Sequence, residues 1–139
     1  MKTIYAMIIV ASLNAAAFAG PRPPALTDAL LDAIRFVESG DRVNVPDGDG
    51  GKAIGPYQIW RVYWQDACEY DTSLKHRRYE DCRDPEYARR VVIAYMSRYG
   101  QGKSAKDLAR IHNGGPKGHR KSATVEYWAK VEKRLNERN

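Results

Sequence analysis

The stretch DPEYARRVVIAYMSRYG, Asp84 to Gly100, constrains the fold most. Asp84 suits a helix N-cap and Pro85 the first helical position, where its missing N–H costs nothing. Ala88, Val91, Val92, Tyr95 and Tyr99 then recur at three- and four-residue spacing, and Gly100 is a stop. A helix this explicit needs other apolar faces to pack against, and the chain offers them. LTDALLDAIRFVESG carries Leu26, Leu30, Ile34 and Val37 at helical spacing and ends at Gly40, which puts Glu38 in the last turn. SATVEYWAKVEKRL repeats Val125, Trp128, Val131 and Leu135 on one face. Ser104 with Asp107 resembles a capping box ahead of LARI, and the aromatic run WRVYWQDACEY also reads as helix.

Residues 42–59 break this pattern. VNV and AIGPYQI flank PDGDGG, which reads as strand–turn–strand, with Gly55 and Pro56 arguing for a short or bent second arm. HNGGPKGHRK is a loop by its glycines and proline. The expected class is α+β, mainly helical with one small β-hairpin.

Of the 139 residues, the first nineteen read as a signal peptide: Lys2, an apolar run, and Ala17-Phe18-Ala19 at the cleavage position. The run is short for a membrane span of about 20 apolar residues. Cleavage leaves residues 20–139 as one domain with no stable membrane insertion, secreted or periplasmic. Losing Lys2 lowers the formal charge from +6 to +5. A basic exported protein suits an anionic partner such as a wall polymer, and export argues against a specific nucleic-acid role. In an exported chain Cys68 and Cys82 are expected to form a disulfide. No metal site is expected, because neither cysteine has a CxxC partner and His76, His112 and His119 are scattered. DGDGG invites a calcium loop, but counted from Asp47 the twelfth position is Gln58, which fails the EF-hand pattern.

Cleaving a glycosidic bond requires an acid on the leaving oxygen and, usually, a carboxylate across the sugar ring. At a helix C-terminus Glu38 faces the partial negative charge of free carbonyls, which opposes a second negative charge, and Phe36 and Val37 offer apolar cover. Asp47 and Asp49 on the glycine turn are candidates for the second carboxylate. On pattern alone the ordinary readings outweigh these: Glu38 as a solvated helix end, the aspartates as turn formers. His112 reads first as a structural hydrogen-bonding residue, and Tyr57, Trp60, Tyr63, Trp64 and Trp128 as core, with one or two free to stack on sugars.

VESG, GPYQIWRVYW, AYMSRYG and LARIHNGGPKGHRKSATVEYW, in this order, resemble successive blocks of the invertebrate-type lysozymes, the destabilase family. The resemblance spans about Ala33 to Leu135. It implies a lysozyme-like fold, no cofactor, and hydrolysis of β-1,4 bonds between N-acetylmuramic acid and N-acetylglucosamine in peptidoglycan by a protein taken as a monomer. It assigns the acid to Glu38 and the second carboxylate to Asp47 or Asp49, with Asp47 preferred because an added residue fits the glycine turn. Tyr57, Gln58, His112, Asn113, Gly114 and Gly115 would contact substrate. Animal members are rich in cysteine, whereas this chain has two. The alternatives are a lytic transglycosylase, a destabilase-type isopeptidase using Ser39 and His112, and a non-catalytic cationic wall binder.

Overall fold

The computed structural model describes residues 20–138, so the expected signal peptide lies outside the described residues. Within them, five α-helices and one two-stranded sheet make up the regular structure: α1 Asp28–Ser39, β1 Ala53–Ile54, β2 Ile59–Trp60, α2 Arg61–Tyr70, α3 Pro85–Tyr99, α4 Ala105–Gly114 and α5 Val125–Asn136. Short 3₁₀ turns connect them. This is the expected mainly helical α+β class with one small β-hairpin. Among the described residues no helix is long and apolar enough to cross a membrane.

The caps written in the sequence form. Thr27 Oγ1 accepts from Leu30 N at 3.1 Å and begins α1. Gly40, in the left-handed region at φ 63°, donates its N–H to Phe36 O at 2.7 Å and ends it. Asp84 accepts from Glu86 N at 3.0 Å ahead of Pro85, and Ser104 Oγ accepts from Asp107 N at 3.2 Å. Each such cap is worth about 1 kcal/mol. α1 packs on α5, α5 on α4, and α2 on α3. Their shared core holds Leu30, Leu31, Ile34, Val91, Val92, Met96, Leu108, Ile111 and Val131. The stripe expected on α5 is incomplete, because Val125, in its first turn, is half exposed.

The hairpin differs from the expected one. Its strands both lie within AIGPYQIW: Ala53 pairs with Trp60 and Ile54 with Ile59, antiparallel. Gly55-Pro56 forms the turn itself, with Gln58 N donating to Gly55 O at 3.0 Å. VNV is not a strand, and Val43 is 91% exposed. PDGDGG folds back instead, through a Gly48–Ala53 bridge and a 3₁₀ turn at Asp49–Gly51. Gly55 is required twice over: its φ is 73°, and a Cβ there would sit 1.9 Å from Cys82 O. The Tyr79 hydroxyl, 2.8 Å from Ile59 O and 3.0 Å from Lys52 O, ties the hairpin to the turn before α3.

The expected disulfide is not formed. Cys68 on α2 and Cys82 before α3 are both free and buried. Burial pushes the Cys82 thiol up to about 12, and burial likewise raises Cys68. Both stay protonated, and a thiol without thiolate character is slow in exchange.

Candidate active site

The end of α1, the hairpin, α2, the end of α4 and α5 enclose an open cleft of about 550 Å³, a size that suits a small ligand or a few sugar rings. Glu38 lines it from the last turn of α1, which ends at Gly40. Its side chain is 18% exposed. The Tyr127 hydroxyl, from α5, donates to Glu38 Oε1 at 2.9 Å, and His112 Nε2 stands 3.3 Å from the same oxygen. His112 Nδ1 lies 3.0 Å from the Tyr63 hydroxyl, and Tyr63 stacks on Tyr95 with ring centroids 3.6 Å apart. Burial, followed by the charge of Glu38 at Tyr127 and by Tyr95 and then Glu38 at Tyr63, pushes both phenols well above the usual tyrosine range. Both are therefore hydrogen-bond donors at any pH the fold meets.

The two aspartates of the glycine turn part company. Asp49 lines the cleft with Glu38, and its Oδ2 accepts from Trp60 Nε1 at 3.1 Å. Its φ of 49° is a conformation that Asp tolerates better than most residues. Asp47 is held instead by Arg83, whose Nη2 donates to both carboxylate oxygens at 2.9 and 3.2 Å, and it does not line the cleft. Loop length, the ground for preferring Asp47, does not decide which side chain turns inward. The aspartate that shares the cleft with Glu38 is Asp49.

The other candidates divide similarly. Gln58, His112, Asn113 and Gly115 line the cleft. Gln58 holds φ 50° while its amide donates to Gly55 O at 3.0 Å. Tyr57 does not line it: the ring is 1% exposed, edge-on to His112 with centroids 6.4 Å apart, and supports that histidine from behind. Gly114 also lies outside the lining, packed against Thr124, with its carbonyl accepting from Lys121 Nζ at 2.6 Å. Ser39 is buried and donates to Arg35 O at 2.9 Å, so its hydroxyl is spent inside α1. Trp60, Tyr63, Asp66, Tyr127 and Lys130 also line the cleft. Trp60 and Tyr63 carry an aromatic signal that fits core equally well. The other three carry none, because only the packing of α2 and α5 brings them to the cleft.

A carboxyl side chain largely shielded from water, a second carboxylate in the same cleft, and a half-exposed indole hydrogen-bonded to it are the groups needed to protonate a leaving oxygen, face a developing positive charge, and seat a sugar ring.

The sequence profile of the family described as Destabilase matches residues 29–134. A lysozyme of Magallana gigas is 37% identical over 111 residues, covering 76% of this chain and 78% of that protein. One of Ostrea edulis is 36% identical over 114 residues, covering 77% and 80%. Among solved structures, the inhibitor-bound lysozyme from Meretrix lusoria superposes with a TM-score of 0.66 at 31% identity, covering 84% of this chain and 93% of that one. The Tapes japonica lysozyme gives 0.67 at 28%, covering 84% and 94%.

Proposed function

The chain belongs to the Destabilase family, and on that premise we propose that it is a muramidase, a glycoside hydrolase that cleaves the β-1,4 bond between N-acetylmuramic acid and N-acetylglucosamine in peptidoglycan. Glu38 is the general acid and Asp49 the second carboxylate. The observation that carries this reading is the sharing of one cleft by Glu38 and Asp49 while Asp47 is bound to Arg83.

With a glycan strand in the cleft, Glu38 gives its proton to the glycosidic oxygen as the C1–O bond breaks, and the electron pair leaves with that oxygen. Positive charge grows on the ring, and Asp49 faces it. The indole N–H of Trp60 orients Asp49, and the exposed part of the Trp60 ring offers a face to the sugar. Residues 1–19 act as the export signal of this reading, delivering the enzyme outside the cytoplasm, where its polymer is.

A lytic transglycosylase needs one carboxylate, so the presence of Asp49 in the cleft favours a hydrolase. An isopeptidase would need a free nucleophile beside His112, and Ser39 is otherwise engaged. The test is mass spectrometry of the soluble products from purified peptidoglycan. The wild type should release muropeptides with reducing ends, and Glu38→Gln none. Anhydromuramyl ends would make the protein a transglycosylase, and equal silence from both proteins would end the muramidase reading.

A further inference from the structure

We propose that His112, as a neutral imidazole protonated on Nε2, is a positioning residue that pins Oε1 of Glu38 and so leaves Oε2 as the oxygen that delivers the proton. This rests on reading Glu38 as the acid.

Both protein contacts of the Glu38 carboxyl fall on one oxygen. Oε1 accepts from the Tyr127 hydroxyl at 2.9 Å and lies 3.3 Å from His112 Nε2. No hydrogen bond to Oε2 occurs among the described residues. A carboxylic acid carries its proton on the oxygen that is not already receiving donors, and here that is Oε2. The 3.3 Å contact is long for a hydrogen bond to a carboxylate, as catalytic contacts in empty sites often are, and it can tighten when charge appears.

The tautomer follows from what stands behind the ring. His112 is 8% exposed, and its Nδ1 meets the Tyr63 hydroxyl at 3.0 Å. Tyr63 is itself buried, and Nδ1 is its hydroxyl's one hydrogen-bond partner among the described residues. If Nδ1 carried a proton, the Tyr63 O–H would lose its one protein acceptor at a buried position on the cleft wall, and an unpaired buried donor is costly. The O–H therefore donates to a bare Nδ1, and the ring proton sits on Nε2, facing Glu38. Two further phenols flank the ring, Tyr57 at 6.4 Å and Tyr127 at 6.3 Å between ring centroids, and Asp49, Asp66 and Lys130 line the same cleft. Among the described residues, Glu38 is the one charged group paired with the ring.

A neutral ring matters for the chemistry. An imidazolium at 3.3 Å would favour the carboxylate and strip the acid of the proton it must give. A neutral Nε2–H does not compete for that proton. As it leaves Oε2 for the glycosidic oxygen, negative charge spreads onto Oε1, where the Tyr127 hydroxyl already donates and His112 Nε2 stands 3.3 Å away. The Tyr127 bond strengthens and the His112 approach closes to a hydrogen bond as that charge grows. Interactions realised only in the transition state accelerate a reaction without extra ground-state binding.

The test pairs kinetics on purified peptidoglycan with ¹⁵N chemical shifts of the His112 ring. His112→Ala should lower kcat by about 10- to 100-fold, the loss of one hydrogen bond to a charged group, with KM changed less than about threefold. His112→Gln, which can present an N–H to Oε1, should recover most of the loss. Tyr63→Phe should slow the wild type, yet cost nothing further in the His112→Gln background, where no tautomer needs fixing. The shifts at neutral pH should show a protonated Nε2 and a bare Nδ1, in wild type and in Glu38→Gln alike. An Nδ1–H ring or an imidazolium would overturn the proposal whether or not the enzyme cuts glycan. So would a rise in KM at constant kcat, or a His112→Gln protein as slow as His112→Ala. Wild-type inactivity on glycan would instead remove the muramidase reading and leave the tautomer to be judged by the shifts. Thermal unfolding of each variant identifies any that fails to fold, and His112→Gln, nearest in shape, keeps the comparison open.

Discussion

Trp60 donates its indole N–H to Asp49 Oδ2 at 3.1 Å, joining strand β2 to the 3₁₀ turn in the cleft that Glu38 also lines. The aspartate that shares the cleft with Glu38 is thus held by a residue eleven positions away.

Asp49→Asn should abolish nearly all activity, with kcat lower by about 100-fold or more, a loss typical of a group that acts only in the transition state. Asp47→Asn should retain most of it, because it removes only an exposed ion pair with Arg83, worth at most about 1 kcal/mol. Turbidity loss of a peptidoglycan suspension measures both. The reverse ranking would move the second carboxylate to Asp47.

Trp60→Phe keeps an aromatic face and deletes the indole donor. The Asp49 carboxylate then loses its orienting contact at a half-exposed site, and kcat should fall by roughly 3- to 10-fold. Trp60→Ala should add a rise in KM, because the ring face is lost as well. A phenylalanine variant with wild-type kcat would reduce Trp60 to a stacking platform.

Gly55→Ala should destabilise the fold by about 2–4 kcal/mol, since it combines a positive φ with a Cβ aimed at the backbone of Cys82. Thermal unfolding reads this as a large drop in Tm. The neighbouring Gly50 has a positive φ but open space around it, so Gly50→Ala should cost only about 1 kcal/mol.

Native protein treated with iodoacetamide at about pH 8 should leave Cys68 and Cys82 unlabelled. A thiol pushed up to about 12 is about one part in ten thousand thiolate at that pH. Denaturant alone, without reductant, should expose two labels by mass. If labels appear only after reduction, the pair is oxidised and the free-thiol structure is wrong for the isolated protein.

Acid should unfold the protein through the turn that leads into α3. The N–H of Arg78 on Asp81, and that of Glu86 on Asp84, hold these carboxyls below their ordinary value of 3.8. A depressed folded-state value adds stability that is complete above 3.8 and is lost as pH falls through the lower folded value. Chemical denaturation at about pH 5 and about pH 3 should therefore give a lower midpoint in the more acidic buffer, and Asp84→Asn should narrow the difference.

Much of the helical frame is legible in the sequence because its signals are local. Asp84-Pro85, Ser104, Gly40 and Gly100 each act within one turn, and apolar spacing fixes the faces. The hairpin is misplaced for a related reason. Gly55-Pro56 fits either a bent strand or a turn, and the deciding contact, with Cys82, lies 27 residues away. Which of Asp47 and Asp49 lines the cleft likewise depends on distant packing, with Arg83, 36 residues beyond Asp47, holding that carboxylate. Tyr57 reads as a cleft residue from its place in GPYQ, but the close packing of the hairpin against the helices buries it. Tyr127 carries no signal of its own, because its use depends on α5 crossing α1.

That crossing has a consequence for the order in which the molecule becomes competent. The hydroxyl on Glu38 arrives from a residue 89 positions later, so this carboxyl has its hydrogen bond only when α5 seats on α1. A chain still emerging from a ribosome has its carboxylates and its hairpin long before it has Tyr127. Until residues 125–136 dock, the hydrogen bond to Oε1 is missing. The surroundings of Glu38 are thus completed by a segment made well after the carboxyl itself.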